Sequence, residues 1–387
     1  MFKKIFYVGL VLAMISGVLM GCAPASPGTD QPAAGEDVKE VVIGVYEPMT
    51  GAQAAGGVQT MQGVDLAYEQ KSEALGVPIR MVLVDNRGDK AESATAMTRL
   101  IEQEKAIAVV GSYGSSNAMA GGEVSEAAGI PVMGCSPTNP LVTEGKEYYF
   151  RACFIDPFQG RVMAKYAVEQ GFTKVAIIQN ISQDYSVGLA AFFKQSWIEL
   201  TGSDEGIVSE TSYQDGDQDF TAQLSDIGEA EAIFAPGYYG DAALLMQQGR
   251  EMGFTGLFMG TDAWEAPELV DIGGEAAEGA VFSSHYSADA ATTSASAPFV
   301  EAFEAKYGET PSAMAALGYD AYMLVIDAIE RANSFDPKDI RDAMAVTKDY
   351  EGVTGFITIN ETGDAVKDAV VLQVQDGAFK YLSTVSP

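Results

Sequence analysis

The chain has 387 residues, 47% hydrophobic and 20% charged, enough to bury the core of one large or two medium domains. Its 54 acidic and 23 basic side chains leave a formal charge of -31, which argues against nucleic acid and anionic membrane surfaces as partners. One His and three Cys speak against His-rich metal sites and a disulfide framework, and weaken any Ser-His-Asp reading.

At the N-terminus, Lys3 and Lys4 precede the apolar run IFYVGLVLAMISGVLM (5–20), read as an export signal near the minimum length of a membrane span. The run ends in LMGC (19–22), which resembles the bacterial lipoprotein cleavage box. That resemblance implies cleavage before Cys22 and a lipid on its sulfur. Residues 23–37, APASPGTDQPAAGED, have no apolar periodicity and read as a flexible tether. The expectation is a signal peptide over 1–21, a tether over 22–37, and an exported globular body leashed to the extracellular face of the cell membrane. Cys135 and Cys153 have no metal-ligand spacing, and both a pair and two buried thiols stay open. His285, beside Tyr286, reads as a surface or interface residue.

From residue 38 short apolar runs alternate with amphipathic stretches. EVVIGVY (40–46), IRMVLVD (79–85), AIAVV (106–110) and IPVM (130–133) read as strands. Helices are expected around 58–75, 91–104 and 116–128. The pattern restarts near FIDPFQG (154–160), with strands at 173–180, 206–213, 230–237 and 256–260. Helices are expected between them near 186–200, 218–227 and 240–252. Beyond a loop at 287–297, helices are expected at 299–308 and 315–332. Strand-like runs follow at 355–360 and 369–375, with a turn at 376–379. Buried strands separated by helices mean βαβ units, so this is an α/β chain with two successive blocks, each around a parallel sheet.

Ligands of such blocks sit at strand C-termini. Those loops are 47–57, 111–118, 134–140, 179–188, 236–242 and 260–269, and none contains Lys or Arg. No GxxxxGK[ST] or GxGxxG occurs at a strand end, so a nucleotide phosphate would find neither its cation nor its cradle. Ser115 and Thr138 can offer hydroxyls to a singly charged anion, with the amides of Ser115, Ser116 and Asn117 beside them. N-capping is the plainer reading of Ser115 and Ser116. Asp262, in GTDAW, can take an ammonium or cap a turn. Tyr185, Tyr238, Trp264 and Tyr319 are candidate walls. Hydroxyls on one block facing a carboxylate on the other match a zwitterion.

With IGVYEPMTG (43–51), VVGSYGSS (109–116), FRACFIDPFQG (150–160), DYSVGLA (184–190), DQDFTAQL (217–224), FMGTDAWEAPEL (258–269) and LGYDAY (317–322), the chain resembles the type I periplasmic binding proteins. Within them it resembles the Leu/Ile/Val-binding lipoproteins that serve ABC importers. The resemblance implies two Rossmann-like lobes joined by a three-crossing hinge. Their bounds would be 38–157 with 286–368, and 158–285 with 369–387. It implies an α-carboxylate held by Ser115 and Thr138, an α-ammonium held by Asp262 and the Ser136 carbonyl, and aromatic lining from Tyr185, Tyr238 and Tyr319. Gly56 stands where well-known members carry a pocket aromatic, and Asp262 is one methylene shorter than the usual Glu. Specificity for Leu, Ile or Val is therefore not implied, and a larger or more polar side chain is an equal expectation. The expected partners are an amino-acid-like ligand and ABC permease subunits, with a monomeric protein and no cofactor, metal or catalysis. A sensory receptor for amino acids, amides or small aromatic acids that signals through a membrane partner is the alternative. A lipid-anchored hydrolase finds no GxSxG, metal cluster or second His.

Overall fold

The computed structural model describes residues 39–290 and 292–387. The signal-peptide, tether and Cys22 readings lie outside them. Among the described residues no helix is long and apolar enough to cross a membrane.

The first lobe is built on β1 (Val41–Glu47), β2 (Glu73–Ala74), β3 (Val77–Asp85), β4 (Ala108–Gly111), β5 (Val132–Gly134) and β6 (Tyr149–Arg151). Their order is β2-β3-β1-β4-β5-β6, parallel except for the short β2–β3 hairpin. Every residue of β1 is buried, as a central strand covered on both faces requires. Helices α1 (Ala54–Gln70), α2 (Lys90–Glu102) and α3 (Ser115–Ala128) provide the crossovers. The helix expected over 58–75 thus starts four residues earlier and stops at Gln70. Leu75 and Gly76 take positive φ there to turn the chain into β3.

The second lobe begins with α4 (Asp156–Glu169). It continues through β7 (Val175–Asn180), α5 (Asp184–Thr201), β8 (Ile207–Tyr213), α6 (Thr221–Ser225) and β9 (Ala232–Phe234). Then come α7 (Tyr239–Glu251), β10 (Leu257–Gly260), α8 (Pro267–Gly273) and β11 (Val281–Ser284). The chain then returns to the first lobe through α9 (Ser296–Tyr307), α10 (Ala313–Ala332) and α11 (Pro337–Ala345). A small antiparallel sheet follows, of β12 (Tyr350–Gly352), β13 (Gly355–Ile359) and β14 (Ala365–Val366). Finally β15 (Ala369–Gln375) and β16 (Ala378–Val385) rejoin the second sheet, whose order is β16-β15-β11-β10-β9-β7-β8. Its core is parallel, but β15 and β16 add antiparallel, so the expected parallel sheet has an antiparallel edge. The turn read at 376–379 is a hairpin into β16, whose half-exposed alternation hid it in the sequence.

Helix α10 packs along α1 and under β4 and β5. The approach is close because both helices are bare at the contact. A Cβ on Gly63 would lie 1.7 Å from the Ala315 carbonyl oxygen, and one on Gly318 would lie 2.2 Å from that of Thr60.

The chain passes between the two sheets three times, at 152–155, after β11 and between β14 and β15. Phe154 of the first passage and His285 of the second stack at 3.9 Å between ring centres. Beside them the fully buried Arg151 pairs with Asp364 at 2.7 Å and donates to the Pro137 and Asn139 carbonyls at 2.6 and 2.9 Å. Arg151 thus anchors the first passage to the first lobe, while the facing strand ends are left to form a cleft.

Candidate ligand-binding site

In the first sheet the strand order reverses direction at β1, which lies between β3 and β4; in the second, β7 lies between β8 and β9. Loops leaving neighbouring strands on opposite sides open a crevice at such points. The loop after β4 is GSYGSS. Glu47, at the end of β1, accepts the Tyr113 N–H at 2.8 Å, and the Ser136 hydroxyl donates to the Tyr113 carbonyl at 3.3 Å. The Ser115 hydroxyl oxygen accepts the Asn139 N–H at 3.1 Å. The Ser112 hydroxyl accepts from the Asn86 amide at 2.8 Å. Burial pushes the Glu47 carboxyl up to about 8, so the loop rests on a largely protonated acid at neutral pH.

Helix α3 opens with Gly114 as its N-cap, without a side-chain cap. Ser115 and Ser116 therefore do not serve as ordinary caps. Thr138 is fully buried, and its hydroxyl has no hydrogen-bond partner of good geometry among the described residues. It lies close enough to Asp156 to ease the burial that pushes that carboxyl well above its ordinary value.

Across the cleft, Asp262 is 3% exposed. Oδ1 accepts from Gln159 Nε2 and from the Tyr185 hydroxyl, each at 2.6 Å, while His285 Nε2 lies 3.1 Å from Oδ2. Burial alone would raise this carboxyl; the hydrogen bond and charge of His285, with the hydrogen bonds from Tyr185 and Gln159, outweigh it and hold it below its usual value. Burial also lowers His285, leaving the imidazole neutral at neutral pH. His285 is thus not the surface residue that its sequence context suggested. It is 2% exposed and carries the cleft carboxylate.

The aromatic wall runs from Asp262 through Tyr185 to Tyr238 at 5.6 Å, then to Tyr113 of the opposite lobe at 5.8 Å. The structure does not bring Tyr319 to this wall. Its ring packs on Phe299 and its hydroxyl donates to Gln70 at 2.6 Å, because it lies on the outward side of α10. Trp264 is fully buried in the core of the second lobe against Phe282, away from a lining role. Ser115, Ser136, Thr138, Tyr185, Tyr238 and Asp262 do come to the strand ends that face each other. Gln159, His285 and Tyr113 were missed as site residues, although Gln159 and Tyr113 lie inside the motifs FRACFIDPFQG and VVGSYGSS.

The lobes touch at the rim. Asp184, at the start of α5, meets Lys90 at 2.8 Å and accepts from the Ser116 hydroxyl at 3.0 Å, and its carbonyl accepts from Asn139 Nδ2 at 2.9 Å. On the other side the Tyr239 hydroxyl donates to the Ala52 carbonyl at 2.8 Å and accepts the Ala55 N–H at 3.1 Å. Deeper, Glu265 of the second lobe accepts the Ala313 N–H at the start of α10 at 2.8 Å, and also the Ser284 hydroxyl. Cys135 and Cys153 are both buried and free.

Comparisons with known proteins agree with this fold. The family model described as a periplasmic binding protein matches residues 40–378. A Thermotoga maritima leucine binding protein, LivK, is 42% identical with a TM-score of 0.87, over 90% of this chain and 99% of that one. Streptococcus pneumoniae LivJ, a branched-chain amino acid transporter substrate binding protein solved with isoleucine, is 32% identical with a TM-score of 0.84, over 90% and 100%. A Pseudomonas aeruginosa amino acid binding protein is 32% identical over 71% of each chain. The chain belongs to the type I periplasmic binding protein family, in the group that includes the Leu/Ile/Val-binding proteins.

Proposed function

We propose that this chain is the substrate-binding component of an ABC importer. It is exported, held at the outer face of a cell membrane through a lipid on Cys22, and captures an amino acid between its lobes. The observation that carries the reading is Asp262. It is a buried carboxylate that accepts from Gln159 and Tyr185 and lies against His285, and among the described residues no Lys or Arg lies within ion-pairing distance. A buried charge without a counter-charge is costly. An α-ammonium supplies the missing charge. Ser115 and Thr138 on the other lobe offer buried hydroxyls that suit the α-carboxylate.

The ligand named for LivJ supports an amino acid. Capture would draw the lobes onto one guest, a hinge closure that presents the closed form to the permease. Calorimetry tests the reading: Asp262→Ala is expected to weaken amino-acid binding at least tenfold, and Ser115→Ala less. Unchanged affinity in both variants would refute the assigned site.

A further inference from the structure

A cavity of about 300 Å³ is lined by two of the three passages between the lobes, by residues 285–287 after β11 and by Lys367 and Asp368 between β14 and β15. None of Ser115, Thr138, Tyr185, Tyr238 and Asp262 lines it, so it is separate from the cleft. Val353, Phe356 and Val370 give it an apolar wall, and Thr354 and Thr384 add hydroxyls. Its volume sits at the small end of ligand cavities, which run from roughly 300 to 1,000 Å³.

The cation in this wall is Lys367, only 5% exposed. It donates to the Thr354 hydroxyl, which in turn donates to Asp320 at 2.6 Å. Asp320 is already well supplied, since it also accepts the Val353 and Thr354 N–H groups at 2.7 and 2.9 Å. Among the described residues no carboxylate lies within ion-pairing distance of Lys367 Nζ. An ammonium carries three N–H donors, and Thr354 uses one. A buried cation without a close counter-charge is costly. Burial pushes Lys367 from 10.5 down to about 8, against the opposing charge of Asp320, so it stays largely protonated at neutral pH. His285 beside it adds no second charge: burial lowers the imidazole, and the Lys367 ammonium adds to that against Asp262. Asp368 is exposed, where water screens it. The wall thus joins one buried cation, short of acceptors, to an apolar surface.

We propose that this cavity is a second binding site, at the hinge, for a small carboxylate with a short apolar tail. The carboxylate accepts from the remaining donors of Lys367, and the tail lies on Val353, Phe356 and Val370. The site is independent of what the cleft binds.

Calorimetry with butanoate, acetate and butanamide tests it on the wild-type chain and on Lys367→Met, Thr384→Trp and Ser115→Ala. Lys367→Met keeps the length of the side chain and removes its charge. Thr384 is exposed, so Thr384→Trp fills the cavity without entering the core, and it carries the test if Lys367→Met fails to fold. Wild type is expected to bind butanoate at least about threefold tighter than acetate, because two further methylene groups leave water. Butanamide, the neutral analogue, is expected to bind at least about tenfold more weakly, since it lacks the charge-assisted bond. Lys367→Met and Thr384→Trp should each lose butanoate binding by about tenfold or more, by the same loss of charge or of space. Ser115→Ala should keep it. Butanoate binding that survives both hinge variants and is lost in Ser115→Ala places the carboxylate in the cleft and overturns the proposal. Equal affinities for butanoate and butanamide, or for butanoate and acetate, overturn it as well, and so does a wild-type chain that takes up no butanoate.

Discussion

His285 Nε2 lies 3.1 Å from Asp262 Oδ2, so a residue of the second passage between the lobes holds the carboxylate that faces the cleft. The same imidazole stacks on Phe154 of the first passage. Hinge position and the Asp262 carboxylate are therefore tied through one ring. His285→Ala is expected to weaken amino-acid binding roughly tenfold, since a hydrogen bond to a charged group contributes about 1.5–3 kcal/mol. The loss should be larger at pH 5 than at pH 8, because Asp262 without this donor is easier to protonate. Calorimetry at the two pH values checks the direction, and His285→Gln should recover part of the affinity.

Glu265 gives a second pH effect, with its own sign. Burial pushes its carboxyl from 4.5 up to about 7, against the opposing hydrogen bonds from Ser284 and the Ala313 N–H. An acid raised in the folded state contributes stability that is complete below its unfolded value and is lost as pH rises through the folded one. The window is therefore about 4.5 to 7, with a span on the order of 3 kcal/mol. Glu47 and Asp241, pushed up to about 8 and about 6, act in the same direction. The informative quantity is thus the difference between wild type and Glu265→Gln. Thermal unfolding at pH 5 and pH 8 should show a smaller pH dependence in the variant, and equal dependence would contradict the assignment.

The contact of α1 with α10 predicts the cost of a single methyl group. Gly318→Ala gains about 1 kcal/mol of helix propensity. It also places a Cβ 2.2 Å from a backbone oxygen, which cannot move without shifting α1. Overpacking of this kind costs about 1–3 kcal/mol or more, so the clash wins and net destabilisation is expected. Urea unfolding of Gly318→Ala, beside Ala191→Gly on the exposed face of α5 as a control for propensity, separates the two effects.

At the rim, Lys90 and Asp184 form an exposed ion pair between the lobes. Exposed pairs are weak and screened by salt. Lys90→Ala is expected to raise the ligand dissociation rate only about two- to fivefold, with the difference shrinking in high salt. Stopped-flow dissociation at two salt concentrations measures it. A hundredfold change would mean that the latch, and not the deep cleft, holds the closed form.

Much of this arrangement is written locally. Buried strands end in glycine-rich, Lys- and Arg-free loops, so the strand ends that carry Ser115, Thr138, Tyr185, Tyr238 and Asp262 could be named from pattern alone. What pattern cannot convey is which way a long buried helix turns. The apolar residues of α10 cover most of its circumference, so nothing local says that Tyr319 faces Gln70 and not the cleft. His285 and Gln159 were hidden for another reason. Each reaches Asp262 from a distant part of the chain, 23 and 103 residues away, and only the closed fold brings three side chains onto one carboxylate. Tyr113 was legible as part of a motif. Its direction, across the cleft, follows from Gly56, 57 positions earlier, which leaves the gap that the ring enters.

The most direct measurement is a crystal structure of the complex with the amino acid that binds most tightly. The account predicts the α-ammonium within hydrogen-bond distance of Asp262 and the α-carboxylate on the hydroxyls of Ser115 and Thr138, with both lobes in contact with the one guest. A guest bound outside the cleft, or bound within it with its carboxylate toward Asp262, would contradict it.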